Sequence, residues 1–514
     1  AIAILNAALR ETEDGDDAAR GKIYVALARV YRNIDEFPIS RDFAEKALEC
    51  FRHTGDWRGL TESYLSIGVT DTLEGDYESA LANFEQALKL SGDHPAVYLL
   101  SKIYYNLAGT YWFLRRPHEG IRYLEKAIGL YERAELKANA AACYNNLGSN
   151  LILTGDWARA QSALERALEL GREVSGLSGP VLMTLDALGE LHMLRGDLEE
   201  AREILEEARA HALDKGNKWY ASQARRTLGR CYLASGDLER AMIEGEETLA
   251  LAEKIGDQGG IYESRLLLAE AWLRRGKLES CEAELKRVTD KSVDSIAGLV
   301  ISGEAQRLSG LLALERGDSL MAVHHFGRSA TIFEMLGDRY KSALANYELG
   351  RAYAAAEPSR AAEILKQSAR VFREMGARLN LRQAEAELSA LADKSQADRE
   401  RNSSLTRLST LRLTESVASR ELLLRELGAV VYQETAARRV LVFEHVEGGQ
   451  PKAVSAHGSA GDAARLAREL TEAQTDRQRN HFATEHDAAV IELRVGGGAQ
   501  ATLLISPREA TRLA

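Results

Sequence analysis

Charge at helical spacing is the first chemistry this sequence offers. Asp186 and Glu190 are four residues apart, and about 40 residues further on Arg226 and Arg230 repeat that spacing. Four residues is about one helical turn, so each pair shares a face. Two guanidinium groups on one turn can hold a carboxylate by charge-assisted hydrogen bonds. They can equally pair with Glu190 or Glu270 and tie neighbouring helices together, and both readings stay open. Asn145 and Asn146 add amides with a donor and an acceptor each, suited to an extended peptide backbone or to an adjacent helix. Tyr105 and Trp112, the latter beside Phe113, are large enough to anchor a partner or to fill a core.

Other groups invite sharper chemistry and do not support it. His324-His325 are adjacent, so on a helix they point about 100° apart, and no acid or thiol is spaced beside them as a metal site needs. His481, Glu485, His486 and Asp487 form a polar loop in which metal binding and plain exposure compete. Gly496-Gly497-Gly498 is followed by no helix, which favours a hairpin turn over a phosphate loop. Glu199-Glu200 and Glu206-Glu207 read as solvated helix faces. No G-x-x-x-x-G-K-[ST] loop, no G-x-G-x-x-G after a strand and no H-R-D loop occurs. The expectation is a protein that is not an enzyme, with no catalytic residue, no cofactor and no metal.

Composition bounds the setting. The 514 residues exceed what one core supports, so the chain is several domains or a repeat array. Only 7 prolines leave long helices uninterrupted, and 45% apolar with 28% charged residues suits a helix-rich chain. A net charge of -11 argues against a direct nucleic-acid surface over the whole chain. Cys50, Cys143, Cys231 and Cys281 show neither metal nor disulfide spacing and read as buried small hydrophobes in a reducing, cytoplasmic setting. No apolar run reaches the ~20 residues of a membrane span. The chain begins Ala-Ile-Ala-Ile-Leu inside what reads as a second helix, so a fragment of a longer protein is expected.

What positions the charges is a repeat. Turns recur at Asp35-Glu36, Gly75-Asp76, Arg116-Pro117, Gly155-Asp156, Gly196-Asp197, Gly236-Asp237, Gly276-Lys277, Gly317-Asp318 and Glu357-Pro358, a period of about 40 residues. Glycine takes the left-handed conformation and aspartate caps the helix that follows. A second set lies half a period away, at Gly55-Asp56, Gly92-Asp93, Lys215-Gly216, Gly256-Asp257, Gly337-Asp338 and Gly376. First helices carry Leu147-Gly148, Leu188-Gly189 and Leu228-Gly229 with Tyr232. Second helices carry Ala80, Phe84 and Ala87, or Ala160, Leu164 and Ala167. These motifs resemble the tetratricopeptide repeat over roughly residues 20 to 375. The repeat at 299 to 335 departs most, with Ser309, Met321 and His325 at the expected motif positions. The helix at 377 to 400 is polar and would cap the array.

The resemblance implies a right-handed superhelix whose first helices line a concave face. On that face it places Val25 and Arg29, Tyr105 and Trp112, Asn145, Asp186 and Glu190, Arg226 and Arg230, and Tyr347 and Arg351, with Asn146 beside the row. The partner-binding set is Tyr105, Trp112, Asn145, Asn146, Asp186, Glu190, Arg226 and Arg230, and the partner a protein or peptide.

Beyond Arg401 the pattern changes. Residues 404 to 435 read as one amphipathic helix, able to dimerise or to cover a sheet. Arg438–Val446 and Lys452–Ala456 read as one hairpin, Val490–Val495 and Thr502–Ile505 as another, with a helix at 461 to 475 between them. Leu422-Leu423-Leu424-Arg425-Glu426-Leu427, Ala436-Ala437-Arg438-Arg439, Val440-Leu441-Val442-Phe443 and Ala501-Thr502-Leu503-Leu504-Ile505 resemble a GAF domain, a bacterial sensory module of abbreviated form here. That resemblance implies a small ligand, and the length of the leading helix suggests a homodimer contact through residues 404–430.

The sequence thus predicts a mostly α fold: a tetratricopeptide solenoid followed by a small α+β, GAF-like domain. The divisions are a partial repeat at 1–19, about nine repeats at 20–376, a capping helix and linker at 377–403, and the terminal domain at 404–514. The implied function is an interaction scaffold and sensory relay in a large bacterial signalling or transcription regulator. Two alternatives stand beside it: a fragment of a kinase- or ATPase-type regulator whose catalytic domain lies outside this chain, and a structural assembly scaffold.

Overall fold

A computed structural model describes residues 1–13, 15–92, 96–175, 179–289, 296–394, 420–435, 437–445, 452–458, several positions between 462 and 484, 486–495 and 498–506. It divides into two compact units, Ala1–Leu267 and Leu268–Ala514.

The first unit is helical throughout its described residues. Its hairpins include Asp17–Arg32 with Phe37–Thr54, Trp57–Glu74 with Tyr77–Gly92, Val97–Phe113 with Pro117–Arg133, Lys137–Thr154 with Trp157–Ser175, Gly179–Arg195 with Leu198–Asp214, and Lys218–Ser235 with Leu238–Ile255. Helices pack chiefly on their neighbours in sequence, and several first helices, such as Gly179–Arg195 and Lys218–Ser235, also touch one another across repeats. That is the contact pattern of a solenoid, in which one hairpin cannot bury its own apolar faces.

The turns follow the punctuation of the sequence. Eleven of the interhelical glycines, from Gly55 to Gly376, have φ between 65 and 90°, where a side chain is strained. Asp56, Asp237, Asp318 and Asp338 then cap the next helix by accepting from its backbone N–H groups. Asp35, Arg115 and Glu135 take the same left-handed conformation without being glycine. The turn at Glu135 is one the sequence does not announce.

Five, nine and twelve residues beyond each first turn, small or apolar side chains fill the core. Ala160, Leu164 and Ala167 are buried, as are Ala201, Leu205 and Ala208. The repeat at 299 to 335 obeys the same rule and corrects the expected register by one residue. Its close-packed glycine is Gly310, against Phe326. Ala322, Phe326 and Ser329 are fully buried where Met321 and His325 were expected to mark the motif.

The second unit continues with Leu278–Thr289, Ile296–Glu315, Ser319–Met335, Arg339–Tyr353 and Pro358–Met375, and then Arg378–Lys394. The expected linker and the first part of the 404 to 435 helix lie outside the described residues. The part described, Arg420–Thr435, lies on an antiparallel sheet of β1 (Arg439–Glu444), β2 (Lys452–Gly458), β3 (Ala489–Val495) and β4 (Gly498–Ser506), in the order β2-β1-β4-β3. Alternation sorts the two faces. Val440, Val442, Leu503 and Ile505 meet Leu424, Leu427 and Val431 of the helix. Leu441, Phe443 and Leu504 meet Leu466 and Phe482 on the other side. Leu422 turns away from the sheet and packs on Ile332, Phe333 and Leu336. Over its described length this helix therefore covers the sheet, one of the two roles left open for it.

Candidate functional site

One face of the first helices is set by their packing. Leu147 and Gly148 point into the core, so residues three before and one after each motif glycine lie along one line up the helices. Tyr105, Asn145, Asp186 and Arg226 occupy the first position of successive repeats, and Glu190 and Arg230 the second.

The structure joins these residues across repeats. Asn146 Nδ2 donates to Tyr105 Oη at 3.3 Å. Thr184 Oγ1 donates to Asn145 Oδ1 at 3.0 Å, and Asn145 is only 8% exposed, which places it between repeats rather than on a surface. Arg230 pairs with Glu190 at 3.0 Å. Arg226 pairs with Glu263, Nε to Oε2 at 2.5 Å. The two arginines share a turn, yet each is held by its own carboxylate. Trp112 lies apart from this chain of contacts, with Arg115 over its ring at 5.4 Å, and Phe113 stacks on Tyr77.

Asp186 is the electrostatic centre of the row. Burial, aggravated by Glu190, pushes its carboxyl up to about 6 in spite of Arg226 and Arg230. Its Oδ1 is closed off from solvent without a hydrogen-bond partner among the described residues, and so is Nη1 of Arg226. Buried polar atoms are nearly always paired, so two exceptions on adjacent first helices are informative.

In the second unit, the residue three before Gly310 is Arg307, the counterpart of Arg226. It reaches Glu270 at 2.7 Å, Glu304 at 2.9 Å and Glu348 at 3.0 Å. Lys341 pairs with Glu304 at 2.9 Å and Arg274 with Glu270 at 2.6 Å. Burial, aggravated by Glu270 and Glu304, pushes Glu348 up to about 7 in spite of Arg307. Against the same burial, Lys341 and Arg307 hold Glu304 well below the usual range. Sequence reasoning missed this cluster because the one-residue slip at Ser309 hid the offset that Arg307 shares with Arg226. It missed Glu263 and Thr184 because nothing in their type marks a partner one repeat away.

The remaining candidates resolve simply. His325 Nδ1 bonds Gln306 Oε1 at 2.7 Å, and His324 is buried. His486 pairs with Glu469 at 2.9 Å, while His481 and Glu485 lie outside the described residues. Among the described residues no cluster of His, Cys, Asp and Glu could hold a metal. All four cysteines are buried and free. Among the described residues no helix is long and apolar enough to cross a membrane.

The tetratricopeptide repeat family model matches residues 17–92, 99–173 and 181–254. No curated protein sequence matches the chain. Among solved structures, the Rap protein complexed with competence and sporulation factor is 13% identical, over 74% of this chain and 99% of that one, with a TM-score of 0.45. A STAND protein with a tetratricopeptide repeat sensor from Pyrococcus horikoshii is 16% identical, over 72% of this chain and 54% of that one, at 0.43. BtubC from P. vanneervenii is 21% identical, over 48% of this chain and 94% of that one, at 0.36.

Proposed function

With tetratricopeptide repeats between residues 17 and 254 as the premise, we propose that the chain is an interaction scaffold whose partner, a protein or peptide, lies along the concave first-helix face of the first unit. The supporting observation is the Glu190–Arg230 pair at its middle, whose two side chains are each about one-third exposed. These two would match charges on a peptide, while buried Asp186 and Arg226 hold the row in place beneath them. Exposed pairs of this kind are individually weak, so the pattern sets specificity more than affinity. Tyr105 and Asn146 extend the row toward the N-terminus, with Asn145 buried between repeats and Trp112 standing apart as a further anchor.

The terminal domain we take as a GAF-like relay, on its leading helix and antiparallel sheet, with a small ligand and a dimer contact through residues 404–430 as its expected properties. The setting that fits both parts is the middle of a cytoplasmic bacterial signalling or transcription regulator.

A second reading has its own observation. Glu190–Arg230 and Glu263–Arg226 are complete ion pairs between repeats, and they suit a purely structural tie. A charge swap separates the two readings. Peptides selected by display on the native chain bind through Arg230 on the first reading. On the second, any variant that restores the ion pair restores everything.

A further inference from the structure

A cavity of about 430 Å³ opens on the first helices nearest the N-terminus, where Tyr105, the first member of the row, forms part of its wall. Its lining has a lopsided charge. Arg29, Arg32 and Lys102 face it, with Glu62 the acid among the lining residues, so three cations meet one carboxylate and the excess is two positive charges. None of the three cations makes an ion pair within hydrogen-bond reach among the described residues. Arg32 donates to Ser66 Oγ at 3.2 Å, and Lys102 sits 5.4 Å from the centre of the Tyr98 ring. Elsewhere the chain pairs its inner-row arginines with acids, as at Arg226, Arg230 and Arg307.

Holding three cations together without counter-charges is unfavourable. Burial and the neighbouring arginines depress Lys102 despite Glu62, and burial with Arg29 depresses Arg32. An arrangement that costs stability in the free chain and would gain from a bound anion has the character of a binding site. The volume suits a small molecule. Tyr98 and Tyr105 supply aromatic wall beside the cations.

We propose that this cavity binds a small phosphomonoester, its phosphoryl group held by Arg29, Arg32 and Lys102 and its organic body against the tyrosines. A phosphomonoester carries a charge of about -1.5 to -2 at neutral pH, which matches the excess, whereas a carboxylate would leave half of it unanswered. Arginine is the residue suited to the planar, two-point contact that phosphate oxygens accept. The inference is independent of the groove reading, because no residue changed in its test belongs to the Asp186–Arg230 row, and either can fail alone.

The test is calorimetric titration of the full chain at low salt with phenyl phosphate, and with benzoate as the singly charged counterpart. Saturable one-to-one binding of phenyl phosphate is expected, with benzoate at least about tenfold weaker. Arg29→Gln should weaken binding by about tenfold, the order of one charge-assisted contact. Arg29 is exposed and crowds Arg32 and Lys102, so its replacement should not lower the melting temperature. Glu62→Gln removes the opposing carboxylate and should tighten binding severalfold. Absence of saturable binding at millimolar ligand, equal binding of benzoate, or unchanged affinity in Arg29→Gln would overturn the assignment.

Discussion

Gly148 lies so close to Leu164 that a Cβ on the glycine would stand 2.4 Å from Leu164 Cγ. The backbone of one helix is thus the floor on which the side chain of its partner rests. Leu164 is fully buried there, worth about 1.5–3 kcal/mol of apolar transfer.

Gly148→Ala should therefore cost about 1–3 kcal/mol by overpacking. Leu164→Ala should cost about 2–5 kcal/mol by leaving a cavity. The double variant should be more stable than the sum of the two losses predicts, because each change makes room for or fills the other. Urea unfolding of the three variants checks this, and strict additivity would contradict the contact.

Arg307 holds three carboxylates in the second unit, so its loss should be among the costliest in the chain. Arg307→Met leaves Glu270 and Glu348 buried without their shared cation and should destabilise by about 3–5 kcal/mol. Adding Glu348→Gln to Arg307→Met removes one stranded charge and should recover part of that loss in thermal unfolding.

Asp186 predicts a pH signature. Its carboxyl titrates near 6 in the folded chain and near 4 when unfolded, so the folded state binds the extra proton between those values. Stability contributed by the protonated form is full below about pH 4 and is lost as pH rises to about 6, by at most roughly 3 kcal/mol. Asp186→Asn removes this loss. Its stability relative to the native chain should rise across that window, and a difference flat with pH would contradict the burial described.

How much of this was legible follows from what each residue type constrains. The turns at Gly155-Asp156 and Gly236-Asp237 were readable because glycine tolerates the left-handed conformation and aspartate caps. The turn at Glu135 was not, since glutamate carries no such mark. The core followed from spacing until Ser309, which stands beside the motif glycine Gly310 and, taken in its place, concealed Arg307. Both hairpins of the terminal sheet were local and visible in alternation. The pairing of β1 with β4, Val442 opposite Leu503, joins residues far apart in sequence, and nothing local encodes it. The Arg230–Glu190 pair was among the pairings the sequence offered, but the Glu263 partner of Arg226 was not. A helix pattern fixes which face a side chain occupies, whereas its ion pair depends on the next repeat's phase.

The four cysteines offer an independent check on the core. Burial pushes the Cys143 thiol up to about 12, and Cys231 and Cys281 up to about 11. Since the thiolate is the reactive form, labelling by a disulfide reagent at pH 8 should be slow in the folded chain and complete in denaturant. Rapid labelling of Cys143 in the native chain would contradict its placement.

The central claim is that the first-helix row binds a partner rather than only tying repeats together. The measurement that tests it most directly is the charge swap Glu190→Arg with Arg230→Glu, read by melting temperature and by affinity for a display-selected peptide. The single change Arg230→Glu should lower both. The swap should restore the melting temperature, because the ion pair is rebuilt, and leave peptide affinity at least about tenfold below native, because the charges facing the peptide are reversed. Affinity that returns together with stability would make the pair a structural tie and contradict the account.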